Sequence, residues 1–349
     1  MENETMTGDA VVTEVRTAHH FDPARLEAWL AGRLDGFTPP LRVRQFEGGH
    51  SNPTFLLEDA GERRWVMRKK PPGVLLPSAH QVGREFTVLK ALRDTDVPVP
   101  TVRLHCEDPE VVGAEFFIMD WVKGRIFLDP LLPDLTPADR GALYDDYIRV
   151  LTRLHAVDLK AVGLEGYGRP GNYYQRQIGR WIKQFQLAQT EDIEDMRRLM
   201  DWLPANIPAD DQITLAHGDY SLRNCMIHPT EPRVVAVLDW ELSTIGHPYA
   251  DAAYTTMFQM GETSHADIVA LGIPSQQAML DRYIALSGRP APESWAFYKV
   301  FVLFRLAAIN QGVYKRGLDG NAASEHFHLV LPSVRRLAAR AWSIAEGGD

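Results

Sequence analysis

Two neighbouring segments, HGDYSLRN at residues 217–224 and VVAVLDWE at residues 234–241, constrain this chain more than any other feature. Asp219 stands two residues after His217 and five before Asn224, and Asp239 stands fifteen residues beyond Asn224. The surrounding sequences ITLAHGD and RVVAVLDW are typical of short strands on either side of a loop. The polar residues are therefore either turn residues on that loop or ligands brought together at one site.

The residue types favour a particular chemistry. Asn224 offers an amide oxygen and Asp239 a carboxylate, and hard oxygens of this kind are the ligands that Mg²⁺ prefers. Asp219 would then accept a proton from an acceptor hydroxyl. Phosphoryl transfer requires this division between a base and a metal that offsets phosphate charge. Taken singly, Asp219 or Asn224 is more often a turn residue, so the interpretation depends on all three and on the segments upstream.

The pattern of the chain changes along its length. After a predicted disordered tail at residues 1–18, a helix and several short runs of strand formers separated by GGHSNP and AGE occupy residues 19–122. Residues 123–349 are mostly helical in pattern, and FIMDWVKGR connects the two parts. A strand-rich third followed by a helix-rich remainder predicts a bilobal α+β protein, with a small antiparallel-sheet N-terminal lobe and a larger helical C-terminal lobe.

Composition narrows the partners and the compartment. The formal net charge of -9 argues against nucleic acid or an anionic membrane as the main partner. No apolar run approaches the roughly 20 residues needed to span a bilayer. Cys106 and Cys225 are far apart, which gives no disulfide framework, and the acidic N-terminus is unlike a secretory signal. We expect a cytoplasmic protein.

HGDYSLRN followed by LDWE resembles the catalytic loop and metal motif of the aminoglycoside phosphotransferase and choline kinase group, which is related to protein kinases. The resemblance extends over nearly the whole chain after residue 20. It implies a protein-kinase-like fold, ATP and Mg²⁺ as cofactors, Asp219 as catalytic base, and Asn224 and Asp239 as magnesium ligands. It also implies that His217 and Asp251 support the catalytic loop.

The upstream segments resemble the ATP-binding half of the same family. FEGGHSNPTFLL resembles the hairpin that covers the phosphates, RRWVMRK the strand with the phosphate-binding cation, REFTVLKAL the helix with its carboxylate partner, and FFIMDWVKG the adenine hinge. The implied nucleotide-binding residues are Gly48, Gly49, Ser51, Asn52, Arg68, Glu85, Met119, Asp120, Trp121 and Val122. Residues 19–122 would form the ATP-binding lobe, and residues 123–349 would carry the catalytic loop and the acceptor site.

One position departs from the protein-kinase pattern, because Arg68 stands where V-A-I-K would place lysine. Strand alternation puts Lys69 on the opposite face, while Lys70 shares the side of Arg68. An arginine can hold phosphates in a bidentate manner and pair with Glu85. We predict Arg68 as the phosphate-binding cation, with Lys70 as the alternative.

The acceptor is the least constrained part of the prediction. KKPPGVLLPSAHQVGREF and GYGRPGNYYQRQIGRW resemble the kinase-like domain fused to, or encoded beside, acyl-CoA dehydrogenases, which implies a hydroxyacyl acceptor such as a hydroxyacyl-CoA. Six basic residues against one acid in residues 282–316 suit an anionic acceptor, whereas TEDIEDM at residues 190–196 suits a cationic one. A true aminoglycoside O-phosphotransferase, a catalytically silent nucleotide-binding module and a metal-dependent hydrolase remain alternatives. Oligomeric state and the choice between ATP and GTP stay open.

Overall fold

The computed structural model describes residues 12–47, 52–71, 81–257, 265–320 and 327–348, without the side chains of residues 265–267. The chain divides into two compact units. Unit 1 comprises Met1–Glu165, Asp219–Ser243 and Ser264–Ser275, and unit 2 comprises Gly166–Gly218, Thr244–Thr263 and Gln276–Asp349. These units are not the predicted lobes, whose boundary between residues 122 and 123 stays a prediction.

Unit 1 contains an antiparallel sheet of six strands in the order β1-β2-β3-β4-β6-β5. The strands are β1 (Val12–Thr13), β2 (Arg42–Phe46), β3 (Thr54–Glu58), β4 (Arg64–Lys69), β5 (Val102–Cys106) and β6 (Phe116–Asp120). The predicted tail at residues 1–18 thus includes β1, which pairs with β2. Residues 1–11 lie outside the described part of the chain.

The two faces of this sheet bury different sets of side chains. Alternate residues of β3, β4 and β6 point into one hydrophobic core, which includes Phe55, Leu57, Trp65, Met67, Phe116 and Ile118. Burying each such side chain contributes about 1.5–3 kcal/mol, so a slip of one residue, which would remove the whole set from this core, is unfavourable. The register Thr54↔Arg68 and Arg68↔Phe117 therefore holds Arg68 on the opposite face.

The helices of unit 1 are α1 (Pro23–Leu30), α2 (Val82–Leu92), α3 (Pro109–Val112), α4 (Pro137–His155) and α8 (His265–Ala270). The predicted caps are present. Asp22 accepts a hydrogen bond from the N–H of Ala24 at 2.9 Å, and Thr136 accepts one from Asp139 at 3.2 Å. Because α2 contacts β5 and β6, its buried side, which includes Glu85, faces the sheet.

Unit 1 also contains the antiparallel hairpin of β8 (Cys225–Ile227) and β9 (Val234–Val237). The prediction of a strand at RVVAVLDW is confirmed by β9, whereas its partner β8 was not predicted. CMI is only three residues long and therefore gives little strand signal, and this strand forms because β9 supplies its hydrogen-bond partners.

Unit 2 is mostly helical. Its elements are α5 (Tyr173–Ala188), α6 (Glu194–Ala205), β7 (Thr214–Ala216), β10 (Thr244–Gly246), α7 (Pro248–Met257), α9 (Gln276–Ser287), α10 (Trp295–Leu318) and α11 (Leu331–Ala345). The long helix α10 packs against α5, α7 and α11, and β7 pairs with β10. The α+β fold class, with an antiparallel sheet in the N-terminal region and a helical C-terminal region, is confirmed. Within the described ranges, no helix is long and apolar enough to cross a membrane.

Candidate active site

The β8–β9 hairpin places the predicted metal ligands at the same end. Asn224 directly precedes β8 and Asp239 follows β9 by two residues. The backbone N–H of Leu238 donates to the carbonyl of Asn224 at 2.8 Å. Since the strands are antiparallel, this bond closes the open end of the hairpin and brings the backbone positions of the two residues close together. The fifteen-residue spacing in the sequence is therefore the length of the hairpin.

Asn224 also fixes the predicted base. Its amide nitrogen Nδ2 donates to the side-chain oxygen Oδ2 of Asp219 and to the backbone carbonyl of Asp219, both at 2.9 Å. The amide nitrogen is thereby used, and the amide oxygen is the atom that a cation would bind. The residues 219–224 thus form a closed turn in which the carboxylate of Asp219 has a defined direction.

Asp239 has a backbone conformation that is rare for residues other than glycine. Its φ is 62° and its ψ is 64°, in the left-handed region. Such a conformation costs roughly 1–2 kcal/mol, although aspartate tolerates it better than most residues. The turn sends the carboxylate to Arg68, whose Nη2 lies 2.5 Å from Oδ1. Local strain at this position is typical of functional sites.

Arg68 joins Asp239 to the carboxylate of α2. Its Nε lies 2.8 Å from Oε2 and 3.1 Å from Oε1 of Glu85. Asn52, which is buried, donates from Nδ2 to Oε1 of Glu85 at 3.0 Å. Four of the predicted residues therefore meet on one face of the sheet in unit 1.

Lys70, the alternative cation, is engaged elsewhere. Its Nζ contacts the carboxylate of Glu115. Lys69 is on the opposite face, with its ammonium 5.2 Å from the ring centroid of Phe21. Among the three consecutive basic residues, the one paired with both Glu85 and Asp239 is Arg68, which supports it over Lys70 as the phosphate-binding cation.

Burial and charge act in opposite directions on the pair of Arg68 and Glu85. Burial raises the pKa of Glu85 to about 7, although the positive charge of Arg68 opposes the shift. Burial lowers the pKa of Arg68, but the negative charges of Glu85, Asp239 and Glu241 outweigh it, so the net shift is upward. Arg68 accordingly stays cationic, and Glu85 is the group that titrates near neutral pH.

This titration predicts a pH-dependent stability. Because the folded pKa of Glu85 lies above its ordinary value of 4.5, the folded state binds the extra proton between pH 4.5 and 7. The stabilising contribution is present below pH 4.5 and is lost as pH rises to 7, a change of about 3 kcal/mol. We expect the free energy of unfolding of the nucleotide-free protein, relative to Glu85→Gln, to fall over this interval in urea titrations.

Glu110→Gln provides the matched control, because Glu110 is an exposed carboxylate on α3. The difference between wild type and this variant should stay constant over the same pH interval. A constant difference between wild type and Glu85→Gln would contradict the assignment of the titration to Glu85.

Glu241 belongs to the cluster around Arg68, although it was not among the predicted site residues. One carboxylate oxygen each from Glu85, Asp239 and Glu241 lie within 4.8 Å of one another. Asn52 Nδ2 lies 3.5 Å from Oε2 of Glu241. The signal was present in LDWE, but only the one-turn helix at Trp240–Leu242 turns the side chain of Glu241 back toward Asp239.

Unit 2 holds the residues that directly precede Asp219. The buried carboxylate of Asp251, in the first turn of α7, accepts hydrogen bonds from the backbone N–H of His217 at 2.6 Å and of Gly218 at 2.9 Å. His217 is fully buried. Asp251 therefore binds the backbone of the loop, while the supporting roles of His217 and Asp251 stay predictions.

The predicted adenine hinge comprises the last two residues of β6 and the two residues that follow it. Met119 and Asp120 pair with β4, and the side chain of Asp120 makes two hydrogen bonds to Arg103, at 2.7 and 2.6 Å. Trp121 stacks against the guanidinium of Arg64 at 5.3 Å. Over the described ranges, the backbone groups of Trp121 and Val122 have no hydrogen-bond partner. The role of these residues as an adenine hinge stays a prediction.

Three predicted nucleotide-binding residues, Gly48, Gly49 and Ser51, lie outside the described residues. Their role stays a prediction, as do the roles of the other site residues.

Comparisons with known proteins show which family the chain belongs to. The model of the phosphotransferase enzyme family matches residues 42–298. The chain belongs to this family. The match includes every residue of the cluster around Arg68 and the whole segment from Asp219 to Asp239. It ends within α10, so it leaves out the C-terminal part of unit 2.

Individual relatives divide into two kinds. Human acyl-CoA dehydrogenase family member 11 is 42% identical over 346 residues, which are 95% of this chain and 44% of that protein. A candidate aminoglycoside phosphotransferase of Ralstonia eutropha, solved as a crystal structure, is 45% identical, with a TM-score of 0.86 over 95% of this phosphotransferase-family chain and 100% of the other. This chain spans less than half the length of the curated relatives it matches.

A more distant structure shows the kinase-like fold. Choline kinase from Cryptosporidium parvum is 12% identical, with a TM-score of 0.65 over 93% of this chain and 96% of the other. The family and these structures confirm a phosphotransferase of kinase-like fold.

Proposed function

We propose that this phosphotransferase transfers the γ-phosphate of ATP to a hydroxyl group of a small molecule, with Mg²⁺ bound at the site. The observation that carries the proposal is the β8–β9 hairpin, which holds Asn224 beside Asp219 at one end and Asp239 beside Arg68 at the same end. A base, two cation ligands and a fixed positive charge are the components that phosphoryl transfer requires.

The donor set fits a magnesium ion. The carboxylate of Asp239 and the amide oxygen of Asn224 are hard oxygen ligands, and the carboxylate of Glu241 is within reach of Asp239. A site with few protein ligands suits Mg²⁺, which keeps several waters and phosphate oxygens in its shell. When bound, the ion would offset the negative charge on the phosphates.

The side chains of the protein would orient the two substrates. The carboxylate of Asp219, held by Asn224, would accept a hydrogen bond from the acceptor hydroxyl and direct its oxygen toward the γ-phosphorus. Arg68, held by Glu85, would contact phosphate oxygens. The backbone of Trp121 and Val122 would bind the adenine. Since phosphoryl transfer needs little covalent help from the enzyme, most of the rate enhancement would come from this positioning.

We propose a hydroxyacyl-CoA or a hydroxy acid as acceptor. Support comes from the names of the relatives, which are acyl-CoA dehydrogenase family members, while this chain matches less than half of each. The basic residues in 282–316 give only weak support for an anionic acceptor, because at least three of the six are buried or paired within the protein. Arg305 is buried, Arg289 donates to Gln212, and Lys315 pairs with Asp319.

The acidic residues in 190–196 also give only weak support for a polycationic acceptor. Each of the four acids in residues 190–196 has an arginine partner: Glu191 with Arg335, Asp192 with Arg197, and both Glu194 and Asp195 with Arg198. Such exposed pairs contribute little stability, but they neutralise the local charge. The segment is therefore a poor acidic rim for an aminoglycoside.

A panel of acceptors tests the acceptor class. ADP release with Mg-ATP would be measured with 3- and 4-hydroxyacyl-CoA in one set and kanamycin-type aminoglycosides in another, with Asp219→Asn as the blank. We expect release that depends on the hydroxyacyl acceptors and is lost in the blank. Release with the aminoglycosides alone would favour the antibiotic-modifying alternative.

Two other results would contradict the proposal more broadly. Binding of ATP without transfer to any hydroxyl acceptor would favour the silent nucleotide-binding module. ATP consumption that is independent of an acceptor would favour the metal-dependent hydrolase.

A further inference from the structure

Arg305, one of the six basic residues in residues 282–316, lies in the interior of unit 2. It is on α10 and is 8% exposed. Its neighbours on the helix, Phe301, Phe304 and Ala308, are also buried. Burying a guanidinium costs several kcal/mol unless it has partners. The contacts that offset this cost for Arg305 therefore indicate what the residue does.

The guanidinium is held by two aromatic rings and one carbonyl. Its Cζ is 5.6 Å from the ring centroid of Trp181 on α5 and 5.6 Å from that of Tyr254 on α7. Its Nη2 donates to the backbone carbonyl of Gly218 at 2.6 Å. Two ring faces from different helices restrict the plane of the guanidinium, which directs the donor at this one oxygen.

Gly218 is the residue directly before the proposed base. Its φ of 81° lies in the left-handed region, where glycine is favoured. Asp251 accepts the N–H groups of His217 and Gly218, while Arg305 donates to the C=O of Gly218. Side chains of α7 and α10 thus bind opposite polar groups of the same short backbone segment.

The carbonyl that Arg305 binds belongs to the peptide group shared by Gly218 and Asp219. A peptide group is planar, so fixing the oxygen of Gly218 also fixes the direction in which the chain enters Asp219. A misplacement of about 1 Å at a reacting group can lower a rate by about 100-fold. Arg305 binds the residue directly before Asp219, and Asp219 is the residue where such a misplacement would have the largest effect.

We infer that Arg305 is a positioning residue of the catalytic loop, which acts through the carbonyl of Gly218 to set the orientation of Asp219. This inference rests on the proposed function of Asp219. Arg305 does not touch the substrates in this role, so its loss should affect kcat more than the KM for ATP.

The kinetic test compares Arg305→Met, Arg305→Lys and Arg316→Met. Arg305→Met keeps an apolar side chain between the rings but removes the donor, and we expect kcat to fall by about 100-fold with little change in the KM for ATP. Arg305→Lys retains a donor for the carbonyl and should recover part of the loss. Arg316 is an exposed arginine on the same helix, and its replacement should leave kcat unchanged.

A second measurement does not depend on activity. Hydrogen–deuterium exchange of the full chain should be faster in Arg305→Met in peptides that cover residues 215–224, with the remaining peptides close to wild type. A third comparison adds millimolar guanidinium to Arg305→Ala, which should raise kcat in a saturable manner, while Arg316→Ala should not respond.

Several results would overturn the inference. One is a wild-type kcat for Arg305→Met. Another is faster hydrogen–deuterium exchange throughout unit 2, together with no recovery of kcat in Arg305→Lys and none on adding guanidinium. This second result would show that Arg305 has a structural role only. A wild-type chain without transferase activity would overturn the proposed function alone. The exchange comparison would then still support or overturn the contact between Arg305 and the loop.

Discussion

Replacing Asp219 with asparagine is expected to lower kcat for phosphate transfer by about 10³-fold, the typical loss when a general base is removed. Asn224 donates to Oδ2 of Asp219, and the amide oxygen of an asparagine can accept the same bond. The turn should therefore keep its shape while the base is lost. The KM for ATP should stay close to the wild-type value, because Arg68 and the hinge are unchanged. Steady-state kinetics with the responding acceptor would measure both constants.

Asp201→Asn is a matched control, since Asp201 is an exposed carboxylate on α6. It undergoes the same chemical change and should retain wild-type kcat. Near-normal transfer by Asp219→Asn would contradict the role of Asp219 as base and would leave the position as a turn residue.

Replacing Asp239 with alanine should lower kcat/KM by about 10³-fold, because transition-state charge would lose its compensation. The change removes a proposed metal ligand. It also removes one of the two ion pairs that Arg68 forms with the described residues and leaves the one with Glu85. We expect the half-saturating Mg²⁺ concentration to rise in the same variant. The loss should exceed that of Gly49→Ala, a residue that the sequence predicts to cover the phosphates.

Asp94→Ala serves as the control, because Asp94 is exposed and pairs with Arg93 at the surface. It should show wild-type kinetics and wild-type Mg²⁺ dependence. If Asp239→Ala transferred phosphate at the normal rate, with the same Mg²⁺ requirement, the metal assignment would be wrong.

The sequence predicted the parts of the site that depend on local spacing. Asp219 and Asn224 are five residues apart and meet within one turn, so their order in the chain almost determines their contact. The alternation of β4 predicted that Arg68 and Lys69 would occupy opposite faces, whereas Glu85 was selected only through the family resemblance. Strand alternation is a property of the backbone and needs no knowledge of distant partners.

The sequence could not predict the parts that depend on packing between distant elements. The burial of Arg305 was not predicted, because it depends on Trp181 and Tyr254 from other helices. Glu241 joined the acidic cluster only through the turn after Asp239. The strands β8 and β10 are three residues long, and each forms because a partner strand supplies hydrogen bonds.

The most direct test of the central claim is ³¹P NMR of a reaction that contains wild-type protein, Mg-ATP and the responding hydroxyl acceptor. The proposed function predicts a new phosphate monoester signal that grows in step with ADP and is absent with Asp219→Asn. Growth of inorganic phosphate and ADP from the outset, without a phosphate ester, would show hydrolysis instead of transfer and would contradict the assignment.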